Sequence, residues 1–250
     1  MPHRASATTI DERDTVTIVI SKLEEHIGAR VRGVDLTSPI DDHAIDALRS
    51  ALFEHSVLVF NNQKITDEQH VAFTRRLGTL QMTMVSDPYG GGGPINRFTN
   101  VDENGDIIPP DDARSLYQAG NTLWHSDGAF KQVPLRASLL SAKVIPPERG
   151  ETEYASLRAA YAALSKEKKA ELEGLIAEHS IAHSRTQIGP SLMSKAWLKE
   201  TPPVQHVVVR SIPETGEKAL FVGSYATRII GWPLEKGRAL LEELLEWSTQ

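Results

Sequence analysis

The feature that most limits what this chain can fold into is the order of its short apolar runs. Residues 15–20 and 29–34 are β-branched or alternating, and residues 57–60 are fully apolar, so each has the make-up of a strand. The same reading predicts strands at 123–125, 137–144, 151–155, 176–183, 207–209 and 219–222. Helical patterns fall between them. Asp41 or Asp42 can cap a helix to about His55, with Ile45, Leu48 and Leu52 on one face. Thr66-Asp-Glu-Gln69 has the capping-box spacing and opens a helix that buries Val71, Phe73 and Leu77 and stops at Gly78. Ser156 and Ser165 cap helices at 157–164 and 166–175, and residues 233–248 form an amphipathic helix with a leucine stripe. Strands and helices do not alternate strictly. A doubly wound parallel sheet is therefore disfavoured, and the pattern fits a β-sandwich or barrel with helical insertions. No internal repeat or linker interrupts the chain, so residues 1–250 are read as one domain.

Composition removes whole classes of chemistry. The chain has no cysteine, which excludes disulfides, thiolate metal sites and cysteine nucleophiles. A metal would have to sit among imidazoles and oxygens. The net charge of −6 gives no reason to expect a nucleic acid or an anionic membrane as partner. No apolar run approaches a membrane span, and the N-terminus lacks the apolar stretch of a signal peptide, so a cytoplasmic location is expected. Residues 79–120 read as a long irregular segment, with Asn104-Gly105 marking a hairpin turn. The Gly90–Gly93 run lacks the Lys and Ser/Thr of a phosphate loop, and no serine sits in a hydrolase setting.

The segment that carries chemistry is Asn121-Thr-Leu-Trp-His-Ser-Asp-Gly-Ala-Phe130. On a strand, His125 and Asp127 would project to one side, with Ser126 turned away. One imidazole nitrogen and one hard carboxylate oxygen suit Fe(II). A His-x-Asp pair alone is weak evidence, because chance supplies such pairs readily.

The surrounding residues resemble the TauD/TfdA family of α-ketoglutarate-dependent dioxygenases. The resemblance is carried by Asn121-x-x-Trp124-His125-x-Asp127-x-x-Phe130 and by Gly33-Val-Asp-Leu36, Val57-Leu-Val-Phe60, Gln69, Phe73 and Leu77-Gly78. Pro146-Pro-Glu-Arg-Gly-Glu-Thr-Glu153, Ala219-Leu-Phe-Val222 and Arg228-Ile-Ile-Gly231 extend it. Trp124 to Asp127 and Arg158-Ala-Ala-Tyr161 resemble the branch that cleaves 2,4-dichlorophenoxyacetate. The resemblance implies a mainly β fold with helical insertions, a double-stranded β-helix (jelly-roll) of the clavaminate synthase-like kind. It assigns His125 and Asp127 to iron and Thr152 to the carboxylate of α-ketoglutarate. Asn121 matches a substrate-facing position, and bracing its own loop is an equal alternative. The implied cofactors are Fe(II), α-ketoglutarate and dioxygen. The implied reaction hydroxylates a small anionic acid, aryloxyalkanoate-like, while α-ketoglutarate is decarboxylated to succinate. A homo-oligomer is left open.

The family's third ligand, a His, and its Arg for the keto acid normally follow a helix like the one ending at Trp247-Ser-Thr-Gln250. The last strands are therefore expected to be missing, and the 250 residues alone to bind iron poorly. His179 and His183 could substitute as ligands, although a structural role suits them better. His206 resembles a structural position, and Arg185, Arg210 and Arg228 could each approach an anion. Gly128 leaves more room beside the metal motif than a serine would. A sulfonate or sulfate-ester dioxygenase, a non-catalytic jelly-roll fragment and a zinc hydrolase stand as alternatives.

Overall fold

The computed structural model describes residues 18–85, 91–189 and 192–250, in two compact units that divide after Lys64. In the first unit, β1 (Val19–Lys22) pairs antiparallel with β2 (Ala29–Arg32). The chain then crosses over through α1 (Asp42–His55), so that β3 (Leu58–Phe60) lies parallel to β2. Asp41 starts the helix, its carboxylate accepting from the Ala44 N–H at 2.7 Å. Ile45, Leu48 and Ala51 form the helix's buried face, and Ala29 and Val31 are the buried residues of β2. Of the strand expected at 15–20, residues 15–17 lie outside the described residues, and Val19–Lys22 is the strand observed.

The second unit begins with α2 (Asp67–Leu77), whose capping box forms as expected between Thr66 and Gln69. The segment after it is largely irregular. A bridge between Val101 and Ile107 closes the turn at Gly105, and α3 (Ala113–Ala119) follows, running into a 3₁₀ turn at Gly120–Thr122. Gly90 lies outside the described residues. Ser156 and Ser165 cap α4 (Leu157–Ala163) and α5 (Lys166–Leu172).

A three-stranded antiparallel sheet comes next, with β4 (Ile176–His179) between β5 (Val204–Val207) and β8 (Ala226–Ile229). A hairpin of β6 (Val209–Ser211) and β7 (Lys218–Leu220) turns at Gly216. Between these elements lie α6 (Ile181–Thr186) and α7 (Lys195–Glu200), and α8 (Leu234–Ser248) closes the unit.

Two apolar clusters divide this unit. The first joins Ala177, Val208, Leu220, Val222 and Ile229 to Leu240, Leu241 and Leu244 of α8. The second gathers Tyr117, Ala129, Ile181, Trp197, Phe221 and Tyr225. Residues 220–222 link them by period-two alternation: Leu220 and Val222 enter the first cluster and Phe221 the second. A β-bulge between Glu178 and His179 does similar work in β4. Ala177 packs in the first cluster, while His179 stacks on Phe221 at 5.2 Å.

Four expected strands differ. Residues 123–125, 137–144 and 151–155 pair with no strand among the described residues. Leu140, Val144 and Ile145 are exposed. Composition alone does not make a strand, because a ladder also needs a neighbour's N–H and C=O groups. The run at 176–183 stops after His179, because the Ser180 hydroxyl accepts from the His183 N–H and starts α6 instead.

Candidate active site

His125 and Asp127 converge although they stand in a loop and turn rather than on a strand. His125 Nε2 is 3.2 Å from Asp127 Oδ1. The segment is held from one side by residues 223–225. The Ser224 N–H donates to the Trp124 carbonyl at 2.8 Å, and the Tyr225 ring meets the His125 ring edge-on at 5.8 Å. Gly223 has φ +150°, and a Cβ there would stand 3.2 Å from both His125 Cα and the Trp124 oxygen. Only a glycine lets the two backbones approach this closely. After Asp127 the chain turns at Gly128, φ +69°, where a Cβ would press on Leu135 Cγ at 2.8 Å. Turn geometry and this crowding account for Gly128, so its meaning is not simply room for a ligand.

Hydrogen bonds orient both candidate ligands. His125 Nδ1 lies 2.6 Å from the Leu123 carbonyl oxygen. That contact places a proton on Nδ1, while Nε2, which donates to Asp127 when the ring is protonated, would offer its lone pair to a metal once that proton is lost. The Ser138 hydroxyl donates to Asp127 Oδ2 at 2.6 Å. The hydrogen bond to Asp127 raises the pKa of His125 against the opposing effect of burial. The same bond, with Ser138's help, lowers that of Asp127. One neutral nitrogen and one carboxylate oxygen, both directed at the same space, fit two positions around a metal ion such as Fe(II). Among the described residues no group of three His, Asp or Glu completes a cluster.

Among the described residues none of the other candidate histidines joins His125 and Asp127 in a ligand cluster. His179 is 1 % exposed between Phe221 and His206. His206 Nε2 meets the Lys131 carbonyl oxygen at 3.0 Å, and His183 is on α6. Asn121 stands in the 3₁₀ turn just before the loop, and its Oδ1 accepts from Arg185 Nη2 at 3.4 Å. Thr152 is exposed in an unpaired stretch. Two residues on, burial and then the Asp127 charge raise the pKa of the Tyr154 hydroxyl. Residue patterns did not single out Tyr225, Ser138 or Gly223. The only signal for them was proximity in the fold, which a pattern along the chain does not carry.

An imidazole nitrogen and a carboxylate oxygen converging in a β-rich scaffold are donor types that suit a mononuclear metal site. Residues 20–250 match the family described as taurine catabolism dioxygenase TauD, TfdA family. The α-ketoglutarate-dependent 2,4-dichlorophenoxyacetate dioxygenase of Cupriavidus pinatubonensis is 35% identical over 94% of this chain and 83% of its own length. The (S)-phenoxypropionate/α-ketoglutarate dioxygenase of Sphingobium herbicidovorans is 32% identical over 92% of this chain and 79% of its own. The crystal structure of AAD-2 in complex with Mn(II) and N-oxalylglycine superposes with a TM-score of 0.83 at 37% identity, covering 94% of this chain and 81% of that one. The chain belongs to the TauD/TfdA family and is an α-ketoglutarate-dependent dioxygenase with the jelly-roll fold. Its cofactors are Fe(II), α-ketoglutarate and dioxygen, and its substrate is a small molecule. Among the described residues no helix is long and apolar enough to cross a membrane.

Proposed function

We propose that this dioxygenase hydroxylates a small anionic organic acid of the aryloxyalkanoate kind, in the cytoplasm, with residues 1–250 belonging to one family domain. The observation that carries the reading is the 3.2 Å approach of His125 Nε2 to Asp127 Oδ1, with the imidazole tautomer set by Leu123. The two side chains serve as two iron ligands, and Ser138 holds the carboxylate in place. Thr152 donates its hydroxyl to the keto acid's carboxylate, a role supported by its place in the Gly150-Glu-Thr152 segment. Asn121 faces the substrate, a role supported by its position four residues before His125 in the Asn121-x-x-Trp124-His125-x-Asp127 segment. When bound, iron with α-ketoglutarate and dioxygen supplies the oxidising power. The protein positions the acid so that the carbon bearing an ether oxygen is the one hydroxylated. The resulting hemiacetal collapses to a phenol and an oxoacid.

The substrate preference of the relatives supports this class: their names specify 2,4-dichlorophenoxyacetate and (S)-phenoxypropionate. Succinate release by the purified full-length protein, in air with Fe(II) and α-ketoglutarate, tests it. Phenoxyacetate should give the fastest release, with phenol formed in equal amount. Release driven only by an alkyl sulfate or taurine would replace the substrate class. No release with any of them would refute the reading.

A further inference from the structure

Arg185 is a buried cation, 4 % exposed on α6. Its guanidinium lies 4.4 Å over the Tyr117 ring and flat against Gly120, where any Cβ would overlap Nη1. Nη2 reaches Asn121 Oδ1 at a long 3.4 Å, and Nε and Nη1 are buried with no acceptor. Trp197, whose ring centroid is 5.1 Å from that of Tyr117, also buries an unbonded Nε1. These orphaned groups are all donors. The Tyr117 face offsets part of the charge, but a ring under the guanidinium plane does not accept from N–H groups lying within that plane. Asn121 and the Tyr225 hydroxyl satisfy only part of the guanidinium, and leaving buried Nε and Nη1 without acceptors is costly unless an acceptor arrives from outside. Arg185 also hydrogen-bonds the Tyr225 hydroxyl, and the Tyr225 ring in turn meets the His125 ring edge-on at 5.8 Å.

We propose that Arg185 anchors the anionic head group of the substrate and so determines that the enzyme takes an acid. The proposal rests on the reading of the chain as an oxygenase of small organic anions. Arg185 is assigned to the substrate rather than the keto acid because one of its hydrogen-bond partners is Asn121, the proposed substrate-facing residue. Gly120 and Tyr117 fix the guanidinium plane, and Ser180 starts the helix that carries it. A carboxylate or a sulfate ester would each satisfy the orphaned donors.

Binding to the full-length protein with Fe(II) under argon decides the matter without turnover. The probes are phenoxyacetate, hexyl sulfate, neutral phenoxyethanol and α-ketoglutarate, followed by calorimetry and tryptophan fluorescence. Arg185→Met should weaken the anion that the wild type binds by about 10- to 100-fold, the usual worth of a charge-assisted hydrogen bond. Phenoxyethanol and α-ketoglutarate binding should stay nearly unchanged. Arg185→Lys keeps the charge and should recover part of the loss, and it carries the test if the methionine variant does not fold. Equal weakening of the acid and the alcohol would overturn the proposal in favour of packing. Loss confined to α-ketoglutarate would make Arg185 the keto acid's anchor, and failure of the wild type to bind either anion would also overturn it. A protein that binds phenoxyacetate through Arg185 yet releases no succinate in air would refute the oxygenase reading alone.

Discussion

Two side chains near the site show how burial and polar partners set behaviour residue by residue. His179 lies between Phe221 and His206, and burial, then the charges of His206 and Arg210, push its pKa down to about 4 from 6.5. The folded protein holds it neutral, whereas the unfolded chain takes up the proton between pH 6.5 and about 4. Stability is therefore full above that window and falls as pH drops through it, by roughly 1.4 kcal/mol per pH unit. His70, His183 and His206 are shifted the same way, so only a difference isolates His179. Between pH 7 and 5, wild-type unfolding free energy in urea should fall about 2 kcal/mol more than that of His179→Leu. Equal slopes would contradict the account. At Asp127, the Ser138 hydroxyl orients the carboxylate from an exposed position. Ser138→Ala should weaken Fe(II) affinity about tenfold, the low end for a residue that orients a metal ligand, as measured by metal titration. No change would remove Ser138 from the site.

Elements depend on contacts that composition does not reveal. Gly237 lies inside α8, where replacing glycine with alanine ordinarily stabilises a helix by about 1 kcal/mol. Here the added Cβ would stand 2.9 Å from the Ile229 backbone nitrogen of β8. The helix would have to move off the sheet that buries Leu240, Leu241 and Leu244. Gly237→Ala should therefore lower Tm, with a net loss of about 1–3 kcal/mol, and a rise in Tm would contradict this packing. Helices were the legible elements, because caps act locally: Asp41, Thr66, Ser156 and Ser165 all start helices where expected. Residues 176–183 were less legible. A strand-like segment and a serine cap compete there, and the hydroxyl of Ser180 decides in favour of the helix. Residues 137–144 show the converse limit, since strand composition does not supply a strand partner.

At the scale of the whole molecule, strand-rich order without alternating helices pointed to a sandwich or barrel, and it was the motifs in family order that implied the jelly roll. The candidate metal pair was legible as two residues, and the two side chains do converge, although the segment is a loop rather than the strand that first suggested it. The supports from residues 223–225, about 100 positions away in sequence, were not legible because close backbone approach leaves only a glycine as its trace. The most direct measurement is the visible charge-transfer band of the full-length protein given Fe(II) and α-ketoglutarate without oxygen. The wild type should develop the band, and His125→Ala and Asp127→Ala, though folded, should not. A wild type without the band, or variants that keep it, would contradict the assignment of these two side chains to iron.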